Sequence, residues 1–247
     1  MQPEIKILPD KPALAAEAAR RFVLLAQTAV AENGRFTVAL SGGSTPRTLH
    51  QLLAQPPLRD QVPWQKVFVF WGDERFVPPD DADSSYLMAR ETLLDHVPIP
   101  PQNIHPVPTV DITPETAAQQ YTSTLQSLFG ESVPRFDLIL LGMGPDGHTA
   151  SLFPGHPEVV KPGDKLVAVV FDSPKPPPTR LTFTYQLLNA AKNVIFLVAG
   201  ADKAAMVRQV LVGGTAVVPP PASLVQPANG KLTWLLDMSA AQNFLSH

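Results

Sequence analysis

The sequence predicts an α/β fold, a doubly wound and mostly parallel sheet with helices on both faces, and three observations carry that expectation. Its short apolar runs, such as Val67-Phe68-Val69-Phe70-Trp71 and Val194-Ile195-Phe196-Leu197-Val198-Ala199, are continuous and not alternating, which fits parallel strands covered on both sides. Segments with helical spacing separate nearly all of these runs, as parallel crossover connections require. Most of the 28 prolines fall between elements, at 56–57, 78–79, 98–101, 176–178 and 219–221, where they stiffen loops.

Residues 5–8 open the chain as a short strand. Residues 12–32 follow as an alanine-rich helix with Leu14, Ala18, Phe22, Leu25 and Ala29 on one face, stopped by Gly34. Residues 36–40 form a second strand. Ser41-Gly42-Gly43-Ser44-Thr45-Pro46 then opens a helix through Leu53, with Pro46 in the first turn, where a missing N–H does little harm. Residues 67–71 are a third strand, ending in Gly72-Asp73-Glu74-Arg75. Asp83-Ser84-Ser85 supplies an N-cap for a helix to His96, and Thr113-Pro114-Glu115 does so for a helix ending at Gly130. A strand from Phe136, a strand at 166–171, a helix around 185–191, a strand at 194–199, a helix at 202–211 and a strand at 232–236 complete the pattern.

At 247 residues the chain is expected to form a single domain, 1–247, able to bury roughly 70% of its unfolded surface. No repeat or low-complexity tract divides it. The formal net charge is −3 with Lys and Arg scattered, so no basic face points to nucleic acid or anionic lipid, and the expected partner is a small molecule. The absence of cysteine excludes disulfides and thiolate chemistry and is compatible with a reducing compartment. Met1-Gln2-Pro3-Glu4 does not read as a signal peptide, and no apolar run approaches the ~18 residues of a membrane span. The expectation is a cytoplasmic protein, a monomer or small homo-oligomer.

In open α/β sheets ligands bind beyond the carboxyl ends of the strands, so the residues just after each apolar run are the candidates. Residues 41–46 combine Gly42 and Gly43, which allow close backbone approach, with the hydroxyls of Ser44 and Thr45 and the N-terminus of a helix. Together these suit a phosphate, although Ser44 or Thr45 as a simple helix cap is the plainer alternative. Arg75 offers a permanently charged fork for a phosphate, a carboxylate or a developing oxyanion, or else pairs structurally with Asp73 or Glu74.

The run 136–141 ends in Gly142-Met143-Gly144-Pro145-Asp146-Gly147-His148. Its three glycines satisfy the G-x-G-x-x-G pattern of a dinucleotide site, but Pro154 leaves little room for the following helix and Asp146 would oppose a pyrophosphate. The better reading makes His148 a general base oriented by Asp146. Lys175 and Arg180, on either side of a proline run, and Lys203, at a helix start, are candidate phosphate cations. No G-x-S-x-G elbow, Walker loop or H-E-x-x-H motif is present, and His148 and His156 have no metal-ligand spacing, so neither metal nor cofactor is expected.

These motifs, residues 41–46, Asp73-Glu74-Arg75, residues 142–151 followed by Leu152-Phe153-Pro154-Gly155-His156, and Ser173-Pro174-Lys175-Pro176-Pro177-Pro178, resemble the 6-phosphogluconolactonases over about residues 36–205. The chain is also similar to the sister glucosamine-6-phosphate deaminases in its phosphate loop and Asp-Gly-His turn, and the resemblance implies their shared Rossmann-like fold. It departs from the deaminases' Asp-Glu-Tyr at Arg75 and from their Asn-Glu-Pro at Leu152-Phe153-Pro154. The resemblance implies hydrolysis of 6-phosphoglucono-1,5-lactone to 6-phosphogluconate, the second step of the oxidative pentose phosphate pathway, without a cofactor. His148 would activate water, Arg75 or a backbone amide would stabilise the oxyanion, and Gly42 to Thr45 with Arg180 or Lys203 would hold the phosphate. The alternatives are a deaminase-type activity on the same scaffold, a domain that binds sugar phosphate without turnover, and a dinucleotide-binding oxidoreductase.

Overall fold

The computed structural model describes residues 2–157, 163–213 and 218–245. In chain order its strands are β1 (Glu4–Leu8), β2 (Phe36–Leu40), β3 (Val67–Trp71), β4 (Asp73–Arg75), β5 (Leu138–Leu141), β6 (Val167–Val170), β7 (Arg180–Phe183), β8 (Asn193–Val198) and β9 (Lys231–Asp237). Its helices are α1 (Lys11–Asn33), α2 (Ser44–Leu53), α3 (Leu58–Gln61), α4 (Ser85–Thr92), α5 (Pro114–Phe129), α6 (Tyr185–Leu188), α7 (Ala204–Val212) and α8 (Met238–Leu245), with short 3₁₀ turns between them.

Six strands form one sheet in the order β1-β9-β8-β5-β2-β3, and every pairing in it is parallel. The central strands β2 and β5 are buried along their whole length, which is why they read as unbroken apolar runs. Helices flank this sheet, α1 packing on α2 and α7 on α8. The core runs from Leu8 to Ala241 and contains the edge-to-face pairs Phe22–Phe36 and Phe70–Phe136. Each such fully buried ring contributes roughly 1.5–3 kcal/mol relative to exposure.

The helix ends follow their chemistry. Asp10 caps α1 by accepting the Ala13 N–H at 2.8 Å, and Gly34 closes it in the left-handed region at φ 72°. Ser84 caps α4 and Thr113 caps α5. The helix expected to reach His96 instead ends at Thr92, and residues 94–96 tighten into a 3₁₀ turn.

The second sheet was not anticipated. β4, β7 and β6 form a separate three-stranded antiparallel sheet in that order, so the expected strand at 166–171 lies outside the parallel sheet. The chain leaves β3 through Gly72 and enters β4 at once, with Arg75 directly opposite Arg180 on β7. Backbone bonds extend this ladder, Phe183 N–H donating to the Gly72 carbonyl at 2.7 Å and Phe76 N–H to that of Thr179 at 3.0 Å.

Candidate active site

A cavity of about 550 Å³ lies beyond the carboxyl ends of the parallel strands. Gly42, Gly43, Ser44, Thr45, Arg75, His148, Lys175, Arg180 and Lys203 all line it, together with Ser41, Asp73, Ser85 and Asp202. Asp146 stands behind His148 and does not line the wall.

At one end, Gly43 is the N-cap of α2 with φ 107° and ψ 173°, a conformation that disfavours any residue with a Cβ. No side chain caps this helix, so the plainer role suggested for Ser44 or Thr45 does not apply. The hydroxyls of Ser41 and Ser85 are buried beside it without a hydrogen-bond partner among the described residues. Arg75 belongs to this end: its guanidinium carbon lies 3.9 Å from where a Cβ on Gly42 would be, and its Nη1 donates to the Asp83 carbonyl at 2.5 Å.

The acids beside Arg75 do not pair with it in a salt bridge. Glu74 is buried, and its carboxylate accepts the backbone N–H groups of Arg75 and Ser85 at 2.8 Å and of Tyr86 at 2.7 Å, closing the start of α4. Asp73 accepts the Ser151 hydroxyl at 2.7 Å.

At the other end, the loop after β5 folds on itself. Gly144 N–H donates to the His148 carbonyl at 2.9 Å, and Gly147 N–H to the Gly144 carbonyl at 3.0 Å. His148 Nδ1 lies 2.5 Å from Asp146 Oδ1, which assigns the proton of the neutral ring to Nδ1 and leaves the Nε2 lone pair available. Among the described residues Nε2 makes no hydrogen bond. Burial holds His148 below the ordinary histidine value, with the Asp146 charge opposing and the Lys175 charge reinforcing that shift. Asp146 is affected in turn. Burial acts to raise its carboxyl, but the His148 hydrogen bond and the His148 and Lys175 charges leave it below its usual range.

Lys175 belongs with this pair, its Nζ 3.5 Å from His148 Nδ1 and 4.0 Å from Asp146 Oδ1. Lys203 pairs with Asp202 at 2.7 Å. Arg180 is buried among the carbonyls of the proline loop. After Gly147 the chain forms a bridge between Thr149 and Leu152 where a dinucleotide site would begin a helix. Among the described residues, no group of three or more His, Asp or Glu side chains is placed to hold a metal, and no helix is long and apolar enough to cross a membrane.

Residues 9–234 match the model of the family described as glucosamine-6-phosphate isomerases/6-phosphogluconolactonase. The chain belongs to this family. It is 45% identical over 243 residues to a 6-phosphogluconolactonase of Nostoc sp., covering 97% of this chain and 98% of that one. Its fold superposes with a TM-score of 0.87 on the 6-phosphogluconolactonase of Trypanosoma brucei, at 34% identity and 98% coverage of both chains. A monomeric glucosamine-6-phosphate deaminase shares the fold, with a TM-score of 0.80 at 22% identity over 97% of this chain and 99% of that one.

Among the polar residues that line the cavity, Asp73, Ser85 and Asp202 were not singled out from the sequence as site residues, and Ser41 was included only as the first residue of the 41–46 stretch. Ser41 directly follows β2 and Asp73 stands one residue past Gly72 at the end of β3, so both carried the strand-end signal. Ser85 stood out only as part of a helix start, and its approach to Gly42 depends on how α4 docks.

Proposed function

We propose that the protein is a 6-phosphogluconolactonase that opens 6-phosphoglucono-1,5-lactone by general acid–base catalysis at His148. The observation that carries this reading is the His148 Nδ1–Asp146 Oδ1 contact of 2.5 Å, in a cavity whose other end is the uncapped N-terminus of α2. The names of the relatives support it, as do Arg75 and Leu152-Phe153-Pro154 at the positions where the chain departs from the deaminase pattern.

The phosphate docks on the α2 N-terminus, where free N–H groups and the positive dipole end favour an anion, and Arg75 supplies countercharge. Anchoring one end of the substrate places the lactone carbonyl near His148 and lowers the entropic part of the barrier. Neutral His148 takes a proton at Nε2 from water as the water oxygen bonds to C1. The negative charge that develops on the carbonyl oxygen faces the Lys175 ammonium. When the C1–ring oxygen bond breaks, the imidazolium returns its proton to that oxygen, and Asp146 stabilises the cation between the two transfers. This reading gives Lys175 the carbonyl in place of the phosphate expected for it, and gives Arg75 the phosphate, one of the three roles its fork allowed; it is supported by Lys175 standing 3.5 Å from His148 while Arg75 sits against Gly42. Lys203, partnered by Asp202, serves as a secondary cation for the phosphate.

The proposal treats residues 1–247 as one domain, supported by a core that runs from Leu8 to Ala241. A cytoplasmic setting fits a chain without cysteine.

The test is lactone loss measured on freshly generated 6-phosphogluconolactone against the spontaneous rate. Acceleration that disappears in His148→Ala is the expected result. Ammonia release from glucosamine 6-phosphate without lactonase activity would sink the assignment.

A further inference from the structure

The prolines of the 175–178 loop create a need that Arg180 meets. Pro176, Pro177 and Pro178 have no N–H, so this stretch cannot fix its carbonyls through its own backbone donors. Arg180 Nη2 donates to the Lys175 carbonyl at 3.1 Å and to that of Pro176 at 3.0 Å, and its Nε to that of Pro177 at 3.2 Å. The Ser173 hydroxyl donates to the same Lys175 carbonyl at 2.8 Å. The guanidinium carbon also stands 5.7 Å from the Phe153 ring centroid, and that ring lies 4.7 Å from the His148 ring. A single buried side chain therefore touches the loop that carries Lys175 and the ring that backs His148.

We infer that Arg180 is a positioning residue for catalysis, one that ties the 175–177 carbonyls so that the Lys175 ammonium stays beside His148 and Asp146. This rests on the reading of His148 as the base. A guanidinium suits the task because a rigid fork can serve three carbonyls in fixed directions, whereas a lysine ammonium is a point donor on a flexible stem. Most of its donors are engaged by the loop, which separates Arg180 from the phosphate role expected for it from sequence.

The groups that face His148 are Asp146, Lys175 and, at longer range, Asp73. Of these Lys175 is the one whose loop Arg180 ties; Asp73 feels the Arg180 charge, which a lysine at 180 retains, and is held by Ser151. The Lys175 charge holds the proton affinity of His148 down, so releasing it raises that affinity and moves the acid limb of the rate profile to higher pH.

The experiment compares Arg180→Lys, which keeps the charge, with Lys175→Met and the double variant in the full chain. It records kcat, KM, the inhibition constant of 6-phosphogluconate and the acid limb. Arg180→Lys should lower kcat by roughly 10²-fold through misplacement of the ammonium. The product inhibition constant should change by less than about threefold, since anchoring of the anion is untouched. Its acid limb should move upward, and the double variant should show no limb shift beyond that of Lys175→Met.

A weakened product affinity with unchanged kcat and unchanged limb would overturn the inference and make Arg180 a phosphate ligand, and a variant like the parent in every respect would overturn it as well. Should Arg180→Lys fail to fold, Pro176→Gly loosens the same loop with Arg180 intact. The same limb shift is expected there, and an unmoved kcat and limb would count against the tie. His148→Ala separates the two levels: full turnover in that variant removes the base itself, whereas lost turnover beside a flat Arg180→Lys result removes only the positioning role.

Discussion

A Cβ on Gly144 would lie 2.1 Å from both Cε1 and Nδ1 of the His148 ring and 2.5 Å from Asp146 Oδ1, so the imidazole and its carboxylate occupy the space a side chain would need. Gly144→Ala must therefore displace one or both. The expected outcome is a fall in kcat of roughly 10²-fold from misorientation, with a stability loss of about 1–3 kcal/mol from overpacking. Steady-state kinetics and urea unfolding check the two halves separately, and full activity would mean that His148 tolerates a different position.

Asp146→Asn preserves shape and removes charge. Because the carboxylate raises the proton affinity of His148, its loss should move the acid limb of the rate profile to lower pH. Turnover should nonetheless fall by roughly 10²-fold or more, since neither the tautomer nor the imidazolium is then supported. A pH–rate profile of kcat decides it, and a limb that moves upward contradicts the pairing.

Much of this architecture is legible in the sequence because burial on both faces leaves β2, β3, β5 and β8 as continuous apolar runs, and because glycines cluster where those strands end. The strands β4 and β7 leave no such trace. Asp73-Glu74-Arg75 has no apolar residue, and β7 begins with a charge, so their pairing is a matter of backbone bonds across a gap that no local pattern reports. The position of Arg75 depends on that pairing, which is why its charge was visible in the sequence and its place beside Gly42 and opposite Arg180 was not. Asp73 is similar, since its partner Ser151 lies 78 residues along the chain.

Glu74 makes a separate case. Glu74→Ala would leave the N–H groups of Arg75, Ser85 and Tyr86 without their acceptor at the start of α4. The expected loss is about 3 kcal/mol of stability, with a raised KM because Arg75 and Ser85 are both set by this carboxylate. Chemical denaturation and substrate titration measure these effects, and an unchanged midpoint would show that water replaces the cap.

Stability at mild acid should depend on His50. Burial, aided by the Arg47 charge, lowers its pKa from 6.5 to about 4, and it sits between α2 and α4 with Nδ1 3.3 Å from Thr92 Oγ1. The folded state thus keeps it neutral while the unfolded chain takes up a proton. Its contribution is present above pH 6.5 and is lost as the pH falls from 6.5 towards about 4, on the order of 3 kcal/mol in all. His50→Leu should flatten the stability curve over that window, as measured by denaturation at stepped pH. An equally steep decline in the variant would place the titration elsewhere.

Arg75 and Arg180 face each other across the β4–β7 ladder, and the Arg75 charge opposes that of its neighbour. Like charges directly opposite one another weaken a strand pair; the Asp73, Asp83 and Glu74 charges offset part of that repulsion at Arg180, and an anion in the cavity would offset more. Inorganic phosphate should accordingly raise the melting temperature, more in the parent than in Arg75→Gln, by the logarithmic dependence on ligand concentration that binding to the folded state alone produces. In a cell that degrades unfolded chains, the lifetime of this protein would then follow the supply of phosphorylated sugar, so that a scarcity of metabolite thins out the catalyst that consumes it.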